Sequence, residues 1–202
     1  MSKKETHEQV DSYQISELDQ VKALAHPLRM RILETLAAAD PMTTKHVADK
    51  LGEKPTRLYH HVDMLQKAGL IRLTHTRQNR GTTEKYYEAI AKQFRAGADL
   101  FSDESADDQK NAFRPMIRTV FDNTLSEMLR LVDLVDFEDK LEEEGLLSYL
   151  EIHLPQDKVN VVQQKLKDVL DYLQEVDESD SDDEDLRKFR LTIAHYPLDR
   201  FE

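Results

Sequence analysis

Cysteine is absent from this chain of 202 residues. Disulfide bonds, thiolate metal sites and a cysteine nucleophile are therefore excluded together. The five glycines stand far apart, so neither a phosphate-binding loop nor a dinucleotide-binding fingerprint can be built from them. No GxSxG or HExxH motif occurs either. We therefore expect a protein that is not an enzyme and that needs no cofactor.

Long apolar runs are also missing. Nowhere does the sequence offer the apolar span of about 20 residues that a membrane helix needs, and no apolar run follows the lysines at its start. The hydrophobic fraction is 39% and the charged fraction 34%, which suits a helix-rich protein with much solvated surface. These features predict a soluble, cytoplasmic protein of two domains that has no membrane partner.

Positive charge is scarce overall but is concentrated in one part of the chain. The formal net charge of −12 argues, taken alone, against a nucleic-acid partner. Residues 22–92, however, contain 13 Lys and Arg against 7 Asp and Glu, a balance of +6, whereas residues 101–202 contain 12 against 27, a balance of −15. Because phosphate binding needs only a local basic face, the first half of the chain can bind DNA, and the second half should stay away from it.

Apolar residues recur four times at helical spacing after a polar lead, residues 1–11, that we predict to be disordered. Ser16 and Asp19 are candidate caps of the first helix, and Pro27 or the residue after it begins the second. The apolar stripes of the four helices are, in order, Ile15, Leu18, Val21, Leu24 and Ala25; Leu28, Ile32, Leu33 and Leu36; Val47, Ala48 and Leu51; and Leu58, Val62 and Leu65.

Local start and stop signals separate the third helix from the fourth. Thr43 or Thr44 can cap the third helix, and Gly52 supplies a left-handed stop. Pro55 fits the first turn of the fourth helix, which Gly69 closes. Two helices joined by such a short turn are typical of a helix-turn-helix.

A hairpin follows the fourth helix. Residues 70–76 alternate as a strand, residues 77–81 contain turn formers and two arginines, and residues 82–89 are rich in threonine and tyrosine, which favour a returning strand. The order of helices and hairpin predicts a winged helix-turn-helix domain over residues 12–92. In such a domain one helix enters the DNA major groove while the hairpin, or wing, touches the neighbouring backbone.

The outer face of the fourth helix supplies candidates for DNA contact. When Leu58 points inward, the residues opposite it face the solvent. Arg57 is the candidate for a guanine, since its planar fork can pair with both acceptors of that base. The candidates for base contact are Thr56, Arg57, Tyr59 and His60. The candidates for phosphate contact are Thr44, Lys45 and Lys54 near helix beginnings, and Arg77 and Arg80 at the wing tip.

A different interpretation of the same residues stays open. Arg57 and His60 can form an ordinary solvated face, and winged helices also serve as protein-interaction modules that never touch DNA. For His61, which lies beside the apolar stripe, packing within the domain is favoured over DNA contact. The order of the helices, the basic wing and the division of charge favour double-stranded DNA as the partner.

Residues 93–202 are predicted to form a separate domain with dimerisation as its role and ligand sensing as a further option. The pattern predicts a helical stretch containing Phe94 and Leu100, a polar break at residues 102–108, a long helix over residues 115–135, and a strand, a helix and a strand. The two strands are predicted at residues 146–154 and 189–196, the helix between them opens at Pro155, and an acidic mobile loop covers residues 177–185. The predicted fold class is α+β, mainly helical.

Three motifs carry a family resemblance: ALAHPLRMRILETL, TTKHVADKLG and LYHHVDMLQKAGLI. They resemble the DNA-binding domain of ArsR-type repressors, over about a third of the chain. The resemblance implies a homodimeric transcriptional regulator, a repressor, that responds to a signal. It also implies that the recognition-helix positions are occupied by Lys54, Thr56, Arg57, Tyr59 and His60.

The sequence departs from that family in its metal ligands. Thiolate sites would need cysteine, and zinc sites on the dimer helix would need histidine, yet none occurs between His75 and His153. His60 and His61 point about 100° apart on a helix and form no ligand set. We therefore expect no metal site, and the effector is left as an unidentified small molecule or protein.

The long helix of the second half has two open interpretations. Its apolar stripe can pair with a symmetry-related copy, which would place two recognition helices on half-sites about 34 Å apart. Alternatively, the helix covers a small sheet of its own domain. The strand-helix-strand segment can enclose an apolar ligand, receive another protein, or simply form a core.

Overall fold

The computed structural model describes residues 9–79, 81–96, 106–133, 148, 150–177 and 189–196. The chain divides into two units, Met1–Arg130 and Leu131–Glu202. The elements of the first unit, in chain order, are β1 (Val10–Ile15), α1 (Leu18–Leu24), α2 (Pro27–Ala37), β2 (Met42–Thr43), α3 (Thr44–Leu51), α4 (Pro55–Lys67), β3 (Ile71–Asn79), β4 (Thr82–Ala89), β5 (Ala91–Ala96) and the greater part of α5 (Ala106–Val132). The α+β class predicted from the sequence is confirmed.

Helices α3 and α4 begin and end at the residues that the sequence predicts. The hydroxyl of Thr43 accepts a hydrogen bond from the backbone N–H of His46 at 3.2 Å and caps α3. Gly52 ends α3 in the left-handed conformation, with φ 68°, and Gly69 follows α4 with φ 71°. Pro55 occupies the first turn of α4, where its missing N–H costs nothing. These local signals leave only a short turn between the two helices.

The first unit has one core, and α2, α3 and α4 all contribute to it. The predicted stripe of α2 is buried in full, and so are the three predicted inward residues of α4. The largest fully buried side chains are Ile32, Leu36, Leu58, Leu65, Leu70, Ile71, Val21 and Val47. Burying an aliphatic side chain of this size contributes about 1.5–3 kcal/mol, so this shared core fixes α4 against its neighbours.

A three-stranded antiparallel sheet, in the order β2-β4-β3, completes the winged domain. The hairpin runs from the pair Ile71 and Ala89 to the pair Asn79 and Thr82. Strand β4 covers the predicted residues 82–89, whereas β3 continues to Asn79, three residues beyond the predicted strand of residues 70–76. The pairing shifts register between Leu73 and His75. Such a bulge increases the local twist of a hairpin. The short strand β2, which the sequence pattern does not reveal, pairs with β4.

Strands β1 and β5 correct two predictions. They pair in parallel, from Val10 with Ala91 to Ile15 with Ala96. The predicted disordered lead is therefore wrong at its last two residues, and the predicted helical stretch after Ala91 begins as a strand. The reason is tertiary, because the rings of Tyr13 and Phe94 meet edge to face at 6.1 Å and the partly buried pair packs against the core.

Helix α1 begins at Leu18, three residues after the predicted start, because Ile15 belongs to β1. Gln20, 5% exposed, replaces the predicted caps Ser16 and Asp19. Its amide oxygen accepts from the backbone N–H groups of Ser16 and Glu17 at 3.3 and 3.4 Å. Its amide nitrogen donates to the Tyr13 hydroxyl at 3.0 Å and to the Ala68 carbonyl at 3.3 Å. One buried side chain thus joins β1, α1 and the end of α4.

Helix α5 begins at Ala106, inside the predicted polar break, and contains Pro115 in its interior instead of at its start. Ala112 and Thr119 are buried, and Met116 packs against the core of the first unit. At 100° per residue these three positions share one face of the helix. The opposite face carries large apolar side chains that are 37–55% exposed: Ile117, Phe121, Leu125 and Met128.

The second unit contains helix α6 (Gln156–Glu175), which starts directly after Pro155 as predicted. The described residues of the two predicted strands, 148, 150–154 and 189–196, adopt neither strand nor helix, so the strand assignment is wrong for these residues. No residue of α6 is buried: Val159, Val162 and Leu166 are partly exposed, and Val161, Val169, Leu170, Tyr172 and Leu173 are exposed. Of the predicted acidic loop, residues 178–185 lie outside the described residues.

Candidate nucleic-acid interface

The outward face of α4 presents the four side chains predicted to contact bases. Leu58 is fully buried, whereas Tyr59 is 58% exposed. Thr56, Arg57 and His60 are exposed as well. All four lie in the first half of α4, which begins at Pro55. Because the buried stripe fixes the rotation of the helix about its axis, these side chains share the solvent side of α4.

Arg57 is held by an ion pair in the free protein. Its Nη1 lies 2.9 Å from Oε2 of Glu53, the residue that follows the left-handed glycine of the turn. Oε1 of Glu53 lies 3.9 Å from Nη1 of Arg31, on α2. Arg31 also donates to the Leu51 carbonyl at 3.2 Å. The Arg57 guanidinium is therefore connected through Glu53 to the two helices on which α4 packs.

The predicted phosphate contacts divide into exposed and buried groups. Lys45, in the first turn of α3, and Lys54, the residue at the N-terminal boundary of α4, are exposed. Lys54 makes no capping hydrogen bond with its side chain. Thr44 is only 7% exposed, so this predicted phosphate contact is wrong: the side chain lies inside the domain and not on its surface. The two lysines stand beside helix N-termini, whose positive ends add to their attraction for phosphate.

The wing places Arg77 in the exposed outer part of β3, opposite Glu84 of β4. Arg80 lies outside the described residues. Two cross-strand side-chain hydrogen bonds stiffen this part of the hairpin, from Gln78 to Thr83 at 2.8 Å and from Asn79 to Glu84 at 2.9 Å. These side-chain bonds add to the backbone pairing of β3 with β4 in the outer part of the hairpin.

Aromatic contacts link the base of the wing to α3. The ring of His75 stacks on Tyr86 with centroids 4.4 Å apart and planes 13° apart. The ring of His46, from α3, approaches the same tyrosine edge to face at 6.3 Å. The wing and α3 are thus joined by side-chain packing as well as through the core.

Two histidines meet where the start of α2 approaches α4. His26 is the N-cap of α2, where its Nδ1 accepts from the Leu28 N–H at 3.1 Å, and its ring lies 4.5 Å from that of His61 on α4. The buried Nδ1 of His61 has no hydrogen-bond partner among the described residues. This placement agrees with the structural role favoured for His61 from the sequence.

Burial and nearby cations lower both histidine pKa values. Desolvation is the main cause of the lowered pKa of His26, followed by Arg29 and Arg57. Desolvation also dominates for His61, with His26, Arg29, His60 and Arg57 adding to it. Arg29 is fixed nearby, because it donates to the carbonyls of Ala23 and Lys22 at the end of α1. The pair is therefore favoured in its neutral form.

Sequence reasoning missed the roles of Glu53 and His26, although each left a signal. Glu53 precedes Arg57 by four residues, the spacing at which opposite charges on successive turns meet. His26 stands directly before a proline in the first turn of a helix, which is the N-cap position. The pairing of His26 with His61 has no such local signal, since the two residues meet only in the folded domain.

The described residues contain no group of three or more His, Cys, Asp or Glu side chains placed to hold a metal ion. Among the same residues, the helices are too short or too polar to span a membrane. The outward face of α4 itself offers the hydrogen-bond donors and acceptors of Thr56, Arg57, Tyr59 and His60.

Comparison with known proteins gives one finding. Residues 24–74, from the end of α1 into β3, match the family model of a helix-turn-helix domain. No curated protein matches the chain. The matched residues include both helices of the turn, so the site lies in a helix-turn-helix domain, the domain of DNA-binding regulators in general.

The histidine pair predicts a dependence of stability on pH. Both pKa values in the folded protein lie below the ordinary value of 6.5, so the unfolded chain binds protons more readily. The stabilising effect of the neutral pair is complete above that ordinary value and is lost as the pH falls towards the lowered values. Measuring the free energy of unfolding between about pH 8 and about pH 5 should show this loss.

Two variants assign the effect to the pair. His26→Asn keeps an acceptor at the N-cap but cannot titrate, so it should flatten the pH dependence. His153→Asn removes an exposed histidine of the second unit and serves as the control. An equally steep pH dependence in wild type and His26→Asn would show that the pair does not contribute.

Proposed function

We propose that this protein is a sequence-specific, DNA-binding transcriptional regulator that inserts α4 into the major groove. One observation carries the proposal: α4 buries Leu58, Val62 and Leu65 against the domain and exposes four hydrogen-bonding side chains in its first half. The first half of a recognition helix is the part that usually reaches base edges. The match of residues 24–74 to a helix-turn-helix family supports the same conclusion.

Each exposed side chain has a role that follows from its chemistry. Arg57 donates from its planar fork to the O6 and N7 acceptors of a guanine. Thr56, Tyr59 and His60 offer shorter donors and acceptors to neighbouring base edges. Because Arg57 is the only one of the four with a bidentate cationic fork, it dominates discrimination, by roughly 1–3 kcal/mol for a well-paired base.

The phosphate contacts that we propose come from both helices of the turn and from the wing. Lys45 and Lys54 approach the backbone beside helix N-termini, and Arg77 and Arg80 approach it from the hairpin. Thr44 is left out because it is buried. The acidic second half is repelled by the same phosphates, so the charge distribution orients the molecule on DNA with its basic face inward.

We further propose that the regulator is a homodimer and acts as a repressor of the ArsR type in response to an unidentified effector. The exposed apolar face of α5 supports dimerisation, since Ile117, Phe121, Leu125 and Met128 form a stripe whose members are 37–55% exposed. Pairing two such stripes would remove them from water and would supply the second recognition helix that a two-fold operator requires.

DNA binding is tested by measuring affinity for a duplex selected from random sequence. Affinity should fall steeply as salt rises, because each neutralised phosphate releases counterions. Arg57→Ala should reduce, by about tenfold or more, the ratio of affinities for two duplexes that differ at one base pair. Arg77→Ala should weaken binding to all duplexes alike and reduce the salt slope by about one unit.

Equal effects of the two variants on every sequence would contradict the assignment of base readout to α4. A wild-type protein that binds no duplex even in dilute salt would favour a protein-interaction module instead.

Dimerisation is tested by light scattering on the full chain. Leu125→Asp puts a carboxylate in the middle of the exposed stripe of α5, so it should shift the protein from dimer to monomer without unfolding it. The control is Ser126→Asp, because Ser126 is exposed but lies about 100° further around the helix. A wild-type chain that is monomeric at all concentrations would exclude the dimer.

A further inference from the structure

Glu53 occupies a position from which it controls the side chain that reads the base. It stands in the turn between α3 and α4, and its side chain is only 20% exposed. Arg57, its partner at 2.9 Å, has a side chain that is 63% exposed. We propose that Glu53 is a specificity-determining residue that orients the Arg57 guanidinium for bidentate pairing with guanine; this inference rests on the proposed function.

The backbone of Glu53 is fixed before its side chain makes any contact. Its N–H donates to the Ala48 carbonyl at 2.9 Å, a bond that closes the end of α3 around Gly52. Gly52 itself donates to the same carbonyl and holds φ at 68°. The position of the Glu53 Cα relative to both helices is therefore set by the turn.

The second carboxylate oxygen of Glu53 faces another cation, Arg31. Oε1 faces Nη1 of Arg31 at 3.9 Å, and Oε2 faces Nη1 of Arg57 at 2.9 Å. Arg31 is held in turn through its bond to the Leu51 carbonyl. A carboxylate that hydrogen-bonds one arginine and faces a second cation is restricted in its rotation, so it favours one orientation of the Arg57 guanidinium.

The bond to Glu53 leaves most of the Arg57 fork available. A guanidinium has five N–H donors on three nitrogens, and the contact with Glu53 engages Nη1. Nε and Nη2 keep donors for the two acceptors on the major-groove edge of a guanine. Glu53 thus restricts the rotation of Arg57 without occupying all of its donors.

We expect the pairing of Glu53 with Arg57 to increase the discrimination between the correct and a changed base pair more than it increases the affinity for DNA in general. Binding normally costs conformational entropy, because a flexible side chain must be ordered. Glu53 orders the Arg57 side chain in advance, and this helps binding only where a guanine accepts both of its hydrogen bonds. The carboxylate also stands near DNA phosphates and repels them whatever the sequence. Loss of the Glu53 carboxylate should therefore weaken specific binding relative to non-specific binding.

The test compares three full-length variants with wild type on two duplexes, the selected site and the same site with the Arg57 base pair changed. Glu53→Gln removes the charge, and Glu53→Asp keeps the charge but withdraws the carboxylate by one methylene. Asp63→Asn is the control, because Asp63 is an acid within α4 that is ion-paired at 2.8 Å with Lys67 of the same helix and not with Arg57. Thermal unfolding of each variant verifies that it is folded.

Both Glu53 variants should lose about threefold to tenfold of the discrimination between the two duplexes. Asp63→Asn should change binding to both duplexes by the same factor. In an Arg57→Ala background the two Glu53 substitutions should have no further effect on discrimination, since the side chain that they orient is gone.

Two results would overturn the inference while leaving the proposed function intact. One is a Glu53→Gln protein that gains affinity for both duplexes equally. Glu53 would then act only as a negative charge that repels DNA whatever its sequence. The other is a loss of discrimination that persists in the Arg57→Ala background. If Glu53→Gln does not fold, the charge-conserving Glu53→Asp decides the matter. A wild type without any preference between duplexes would instead refute the proposed function itself.

Discussion

The shared core of α2, α3 and α4 is the constraint on which the rest of the site depends. Ile32, Val47, Leu58 and Leu65 are at most 1% exposed, and they come from all three helices. Because α4 commits one stripe to this core, its rotation is fixed and its remaining faces are defined. Moving α4 would open cavities, which cost about 20–30 cal/mol for each Å³ in a packed interior. The exposed face of α4 is therefore a rigid surface.

A second level of organisation stiffens that surface from its edges. Gln20 ties β1 and α1 to the last turn of α4, and the neutral pair of His26 and His61 fills the space between α2 and α4. Glu53 connects the start of α4 to α2. These polar contacts lie at the margins of an apolar core. A satisfied hydrogen bond there stabilises the domain and also fixes the orientation of the side chains that form it. They determine how well the domain holds its side chains ready for a partner.

The sequence predicts the elements whose signals are local. The helices of the turn and the wing follow from apolar spacing, Thr43, Gly52 and Pro55, each of which acts within a few residues. The outward placement of Arg57 follows from the same spacing. The buried position of Thr44 does not, because burial at the edge of a helix depends on what the sheet covers.

Local sequence signals do not predict the pairing of strands that lie far apart in the chain. Strands β1 and β5 are separated by about 80 residues in the chain, and a parallel pair formed at such distance leaves no turn signal between its members. The predicted strands near Ile152 and Ile193 show the reverse error, since their described residues adopt no strand. Alternation of apolar residues is a local pattern, whereas strand formation depends on pairing and packing elsewhere in the fold.

The central claim is that DNA covers the outward face of α4, and oxidative footprinting of the full chain tests it most directly. Tyr59 on that face and Tyr172 on α6 are almost equally exposed, at 58% and 61%, so each reports on its own surface with similar sensitivity. Addition of a selected duplex should slow the labelling of Tyr59 and leave that of Tyr172 unchanged. Bound DNA that leaves Tyr59 as reactive as before would contradict the account.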